Sequence, residues 1–161
     1  MNALRKYSKW LLLIVSVLGL AVSGYLVYYH YAARAGVESF CNVNSVVNCS
    51  KVILSKYSEV AGIPVGVLGG LWFAVMLLLG WGPSRIAARL GDQAPFIAFV
   101  WGLVGLAGVA WFVFVEAALL KSLCLLCTTA HVLIVASFPL TYLNLKRSLG
   151  EHFRDLFTSA E

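Results

Sequence analysis

Charge is scarce in this chain. Of its 161 residues only 12% are Asp, Glu, Lys or Arg, while 61% are hydrophobic. A soluble domain of this length could not hide that much apolar surface, so composition excludes an ordinary soluble fold and calls for lipid over part of the chain. A basic stripe is missing too. The 12 Lys and Arg residues, behind a formal net charge of +5, flank the apolar runs instead of lining one face, which excludes nucleic acid as a partner. The chain has no internal repeat and no low-complexity segment. Cysteine is limited to four residues, Cys41, Cys49, Cys124 and Cys127.

Apolar runs are what the chain has in plenty. Four of them, near 10–32, 64–82, 96–115 and 123–143, are long enough to cross about 30 Å of hydrocarbon as helix. Little remains for a separate domain. The expected fold is therefore an all-α membrane protein: one domain over 1–161, a four-transmembrane-helix bundle with a long outer loop at 33–63. Arg5, Lys6 and Lys9 precede the first run as in a signal peptide. That run continues to about Tyr31, too long for an h-region of about 7–15 residues, so it reads as a retained span.

Four spans put both termini on one side, together with Arg5, Lys6, Lys9, Arg85, Arg89, Lys146, Arg147 and Arg154. The other side holds Arg34, Lys51, Lys56 and Lys121. The excess of positive charge makes the first side cytoplasmic and turns residues 33–63 and 116–122 outward. All four cysteines then lie on or near the outer face, where disulfides form and persist. Asn42, Asn44, Ser45 and Asn48 make the segment between Cys41 and Cys49 turn-rich. Residues Ser50 to Tyr57 suggest a short helix at the interface, and Pro64 suits the first turn of the second span. The connector 82–95 is a short inner loop, and Pro139 is expected to kink the fourth helix.

In KSLCLLCTTAH, residues 121–131, a Cys-x-x-Cys pair opens the fourth run. With a helix start near Ser122, Cys124 and Cys127 share one face about 4.5 Å apart along the axis. Free N–H groups and the positive end of a helix favour a thiolate, and that makes such a pair a redox device. Cys124 is expected nearer the water, exchanging with other thiols, with Cys127 a turn deeper and facing the bilayer. Three other readings compete. The pair could fill the core as small apolar residues. All four cysteines could bind zinc, although Cys-x7-Cys with Cys-x2-Cys is poor spacing, so no metal is expected. The loop pair could be a static staple, but a staple has no need of a second, redox-type pair beside it. Two adjacent pairs suggest a relay, in which a mobile loop brings one cysteine over the other pair. The natural lipid-soluble acceptor of two electrons is a quinone.

FCNVNSVVNCS in the first outer loop, GIPVG leading into the second span, and CLLCTT opening the fourth resemble the vitamin K epoxide reductase family over nearly the whole chain. GIPVG resembles the bacterial branch. The resemblance implies a four-helix bundle around a quinone, ubiquinone or menaquinone. It implies Cys41 and Cys49 as shuttle pair and Cys124 and Cys127 as active-site pair, with Cys49 attacking Cys124 and Cys127 facing the quinone. Ser55 matches a position where the family has Ser or Thr near the site. His131 stands where animal members have Tyr, and Val65 where they have Asn, which puts vitamin K epoxide reduction in doubt. His131 shares the face of Cys127 one turn deeper, and an ionisable group in a span is a functional candidate. It could bond a quinone carbonyl. His30 reads as interfacial, and Glu116 as a cap on the third span.

The expected function is a membrane thiol oxidoreductase in a bacterial inner membrane. It would reoxidise a separate thioredoxin-fold (DsbA-like) protein on the outer face and pass electrons to quinone. The chain ends at Glu161, soon after the fourth run, so the partner is expected to be a separate protein. Rivals are a quinone or quinone-epoxide reductase fed by a thioredoxin-like donor, and a non-catalytic four-span protein with a stapled loop.

Overall fold

The computed structural model describes residues 2–80, 89–90 and 93–158, with 2–6 and 151–158 described by backbone. Helix α1 runs Asn2–Arg34, the short α2 Cys49–Ile53, α3 Val65–Gly80, α4 Ala94–Phe114 and α5 Leu125–Thr158. A six-residue π-helical turn, Val115–Leu120, continues α4. Strands β1 (Glu59–Val60) and β2 (Ile63–Pro64) form a hairpin closed by Ala61 and Gly62, both at positive φ, as the tightest hairpin turns require.

Among the described residues, three helices are long and apolar enough to cross a membrane, in the stretches Tyr7–Arg34, Ala94–Leu120 and Leu125–Gly150. The fourth expected span is α3. It is apolar, but its 16 residues reach only about 24 Å at the helical rise. The expected end of that span and most of the connector 82–95 lie outside the described residues. So do Arg85 and the side chains of Arg5, Lys6 and Arg154.

The pattern along α1 is the reverse of a soluble helix. Ser8, Leu12, Ser16, Gly19, Ser23, Leu26, His30 and Ala33 recur every three or four residues as one buried stripe, small or polar at six of its eight positions. Trp10, Ile14, Val17, Leu18 and Tyr28 point outward. Lipid solvates apolar side chains as well as a core does, so helices associate through small residues that let backbones approach. A Cβ on Gly19 would run into the ring of Phe73 on α3, and one on Gly105 of α4 into Trp72. Trp72 and Trp101 each donate an indole N–H to the other's carbonyl, at 3.1 and 3.2 Å, tying α3 to α4. Ser8 donates to Asn144 Oδ1 at 2.6 Å between α1 and α5.

Several local expectations shift. The loop helix spans Cys49–Ile53 in place of Ser50 to Tyr57, because the Asn48 side chain caps it from the front and the chain turns at Leu54. Pro64 ends β2, and α3 starts one residue later. Helix α5 starts at Leu125, not near Ser122, and runs through Pro139 without ending there.

Candidate functional site

The four cysteines meet at the end of the bundle that carries the loop. Cys41 and Cys49 are joined as a disulfide with Cα atoms 5.7 Å apart, while Cys124 and Cys127 are free thiols. Cys41, Cys49 and Cys124 are all 0% exposed and belong to one buried cluster with Leu26, Tyr29, Val52 and Ile53; Cys127 packs against it, partly buried.

Backbone pairing brings them together. Val47 and Leu123 form a parallel bridge. Leu123 N–H donates to Val46 O at 2.7 Å and Asn48 N–H donates to Leu123 O at 3.0 Å. Ser122 Oγ adds a bond to Val46 O at 3.2 Å. The bridge sits two residues before Cys49 and one before Cys124. The loop pair is thus already held over the helix pair, where the sequence suggested a mobile loop that travels to it. Three asparagines secure the loop. Asn42 clasps Ser50 through both its side-chain atoms, at 2.7 and 3.1 Å. Asn44 Oδ1 accepts from the N–H groups of Val46 and Val47. Asn48 caps α2 by accepting the Lys51 N–H. Tyr29 OH and Ser50 Oγ, 2.6 Å apart, link the loop to α1.

Cys124 stands just before α5, not within its first turn. Its carbonyl accepts the first helical bond, from Thr128 N–H at 2.8 Å, and its sulfur accepts the Cys127 N–H at 3.2 Å. This is the arrangement of an N-cap side chain, with sulfur in place of the usual oxygen. Cys124 is sealed under the loop, and Cys127, partly buried, opens on a neighbouring cavity.

Glu116 is the residue that sequence reasoning placed wrongly. It lies in the π turn, is 4% exposed, and its Oε2 accepts the Cys124 N–H at 3.2 Å. Its carbonyl accepts the Ser122 N–H at 3.0 Å, where Lys121 at φ 48° reverses the chain. It thus caps the approach to α5 and not its own helix. A lone acidic residue near the end of an apolar run was the only signal available.

Cys127, Glu116, His131, Ser55 and His30 line one cavity with an empty volume of about 550 Å³, walled by apolar residues such as Leu26, Val65 and Phe112. Two buried polar atoms in it, Ser55 Oγ and His131 Nδ1, have no hydrogen-bond partner. The imidazole of His131 lies parallel to the Phe112 ring at 6.4 Å between centroids. A second cavity of about 620 Å³ shares Val65, Phe112 and His131 with the first and passes Trp72 and Gly105. Unpaired buried polar atoms are costly, and they mark where an apolar ligand with a polar head would be held. A quinone head, whose carbonyl oxygens accept from a hydroxyl and an imidazole N–H, fits this donor set.

Similarity to known proteins agrees with the arrangement. Residues 10–142, which include all four cysteines and His131, match the Vitamin K epoxide reductase family. The chain is 25% identical over 146 residues to vitamin K epoxide reductase complex subunit 1 of Mus musculus, covering 81% of this chain and 86% of that protein. It is 26% identical over 137 residues to the protein of the same name from Rattus norvegicus, covering 75% and 80%. With two cysteine pairs stacked at one end of an apolar helical bundle and the match running through both, the chain belongs to the vitamin K epoxide reductase family.

Proposed function

We propose that the chain is a membrane thiol oxidoreductase of four spans, α3 being the fourth, that carries two electrons from a separate thioredoxin-fold (DsbA-like) protein to a membrane quinone. The cysteine end faces outward from a bacterial inner membrane. One observation carries the reading: three cysteines share a buried cluster, and the fourth, Cys127, lines a cavity where Ser55 Oγ and His131 Nδ1 are buried without partners.

The chemistry follows from thiol–disulfide exchange. A thiolate of the partner attacks Cys41, releasing Cys49 as thiolate; the partner's second thiol resolves the mixed disulfide and leaves with its own disulfide closed. Cys41 is covered in the described state, so the loop must open before the partner can reach it. Cys49 attacks Cys124 Sγ in the Cys124–Cys127 disulfide and releases Cys127. Cys41 then closes the loop disulfide again, leaving Cys124 and Cys127 reduced. A bound quinone supplies the capacity for two electrons and two protons. Ser55 and His131 orient its carbonyl oxygens, and Cys124 and Cys127 close their disulfide as the electrons leave. Glu116 and the cysteine N–H bond hold Cys124 in line.

The test is anaerobic turnover of purified protein with a reduced thioredoxin-fold partner and a quinone, followed by quinone absorbance. Wild type turns over, Cys127→Ser does not, and Cys41→Ser fails with the protein partner while still accepting a small dithiol. Absence of quinone reduction from every thiol donor would leave the stapled four-span protein as the better account. The names of the rodent relatives favour a second reading, reduction of a quinone epoxide, and an epoxide arm in the same assay decides it.

A further inference from the structure

A polar chain leads out of the cavity beside Cys127. His30, near the end of α1, is 3% exposed and lines the cavity, and its Nε2 stands 3.0 Å from Glu59 Oε1. Glu59, on β1, is 26% exposed, and the same oxygen pairs with Arg34 at 2.6 Å. From exposed Arg34 through half-open Glu59 to buried His30, charged and ionisable groups lead to a cavity whose lining beside His30 includes the apolar Leu26, Val52, Ile53 and Val65 and the polar Ser55, Tyr57 and Ser58.

A clamp between the hairpin and α1 needs only Arg34 and Glu59. The buried imidazole adds what a clamp does not require: a ring with two nitrogens, Nε2 beside Glu59, so that a proton accepted at one nitrogen can be given up at the other. The reaction proposed above has use for one. Thiolates carry its electrons from sulfur to sulfur, and the two protons of the partner's thiols are released at the surface. A quinone reduced there would need two protons inside a largely apolar cavity. Electrons and protons therefore reach the cavity by different routes.

We infer that Glu59 and His30 are the proton entry of this site: Glu59 collects protons at the rim, and His30 delivers them to the cavity that holds Cys127. The balance closes, because the partner's dithiol and the quinone become the partner's disulfide and a hydroquinone, with two protons released at the surface and two taken up at Glu59. The inference rests on the quinone reading. The titratable groups around His30 are Arg34 and the edge-on Tyr31 of α1, Glu59 and Tyr57 of the loop, Glu116 at the end of α4, and Cys127 and His131 of α5.

The experiment uses the full chain in detergent with dithiothreitol as donor and decyl-ubiquinone as acceptor, over a range of pH. His30→Gln and Glu59→Gln are expected to lower turnover by about tenfold or more and to flatten its pH dependence, as loss of a proton-transfer group does. Imidazole is expected to restore His30→Ala. The quinone-free rate at which dithiothreitol reduces the Cys41–Cys49 disulfide, read by alkylation and gel shift, stays at the wild-type value, as does turnover of the exposed-charge control Lys51→Gln. Variants that keep wild-type turnover and pH profile overturn the inference. So do variants in which thiol exchange slows as much as turnover, since that marks a clamp. Should His30→Gln not fold, Glu59→Gln decides alone, because its amide keeps an oxygen for both Arg34 and His30. A wild type that reduces no quinone at any pH overturns the quinone reading and the path with it, whereas the other outcomes leave that reading standing.

Discussion

The two cysteine pairs are equally local in sequence, yet their surroundings are built from different materials. The loop pair, Cys41 and Cys49, is cross-linked inside a frame of asparagine side chains, with Asn42, Asn44 and Asn48 each replacing a backbone partner the irregular chain lacks. The helix pair is free, and its frame is a helix start: Cys124 as cap, Cys127 three residues on, and Glu116 from the preceding π turn. A pair held by side-chain bonds can open by exchanging them with water and a partner. A pair held by a helix start inside an apolar wall keeps its geometry while its redox state changes. In the proposed relay, the difference would suit one pair to a protein surface and the other to a lipid-soluble acceptor.

Breaking each pair separately should give the largest effects. Cys127→Ser is expected to abolish quinone reduction with every donor, whereas Cys41→Ser should retain it with a small dithiol; single-turnover absorbance checks both. A loss of the small-dithiol activity in Cys41→Ser would show that the two pairs cannot work apart. Next in size is the cap. Glu116→Leu leaves the buried Cys124 N–H without an acceptor and should cost about 1–3 kcal/mol in denaturant unfolding in detergent, with Glu116→Gln recovering most of it. Overpacking tests the bundle underneath. Gly105→Val drives a side chain into Trp72 and should destabilise by about 1–3 kcal/mol with the thiol chemistry at the loop end intact. The smallest change is Asn48→Ala, which removes the cap of α2 and should cost about 1 kcal/mol, read by the same unfolding curves and by faster reduction of the Cys41–Cys49 disulfide.

Much of the site is legible in the amino-acid sequence. Cys-x-x-Cys at the head of an apolar run, and a second pair among asparagines, are patterns with a chemical meaning of their own. Glu116 is easily undervalued because its partner, the Cys124 N–H, is reached only through the chain reversal at Lys121. That the loop covers the end of the fourth helix, with Cys124 beneath it, is likewise not written in the local pattern.

By itself, the sequence determined the membrane-embedded helical character of the chain, because hydrophobic run length is a one-dimensional property and unsatisfied backbone in lipid leaves helix as the outcome. It also places the two sulfurs of the loop disulfide, Cys41 and Cys49, close together in the chain. Only the tertiary structure decided that Val47 bridges Leu123, that Cys124 lies sealed beside the loop disulfide, and that Ser55, His131, Glu116 and His30 share one cavity with Cys127. Apart from His131, which follows Cys127 by one helical turn, these partners come from different elements. They are selected by packing and hydrogen bonding across those elements, and no local pattern in the chain records them.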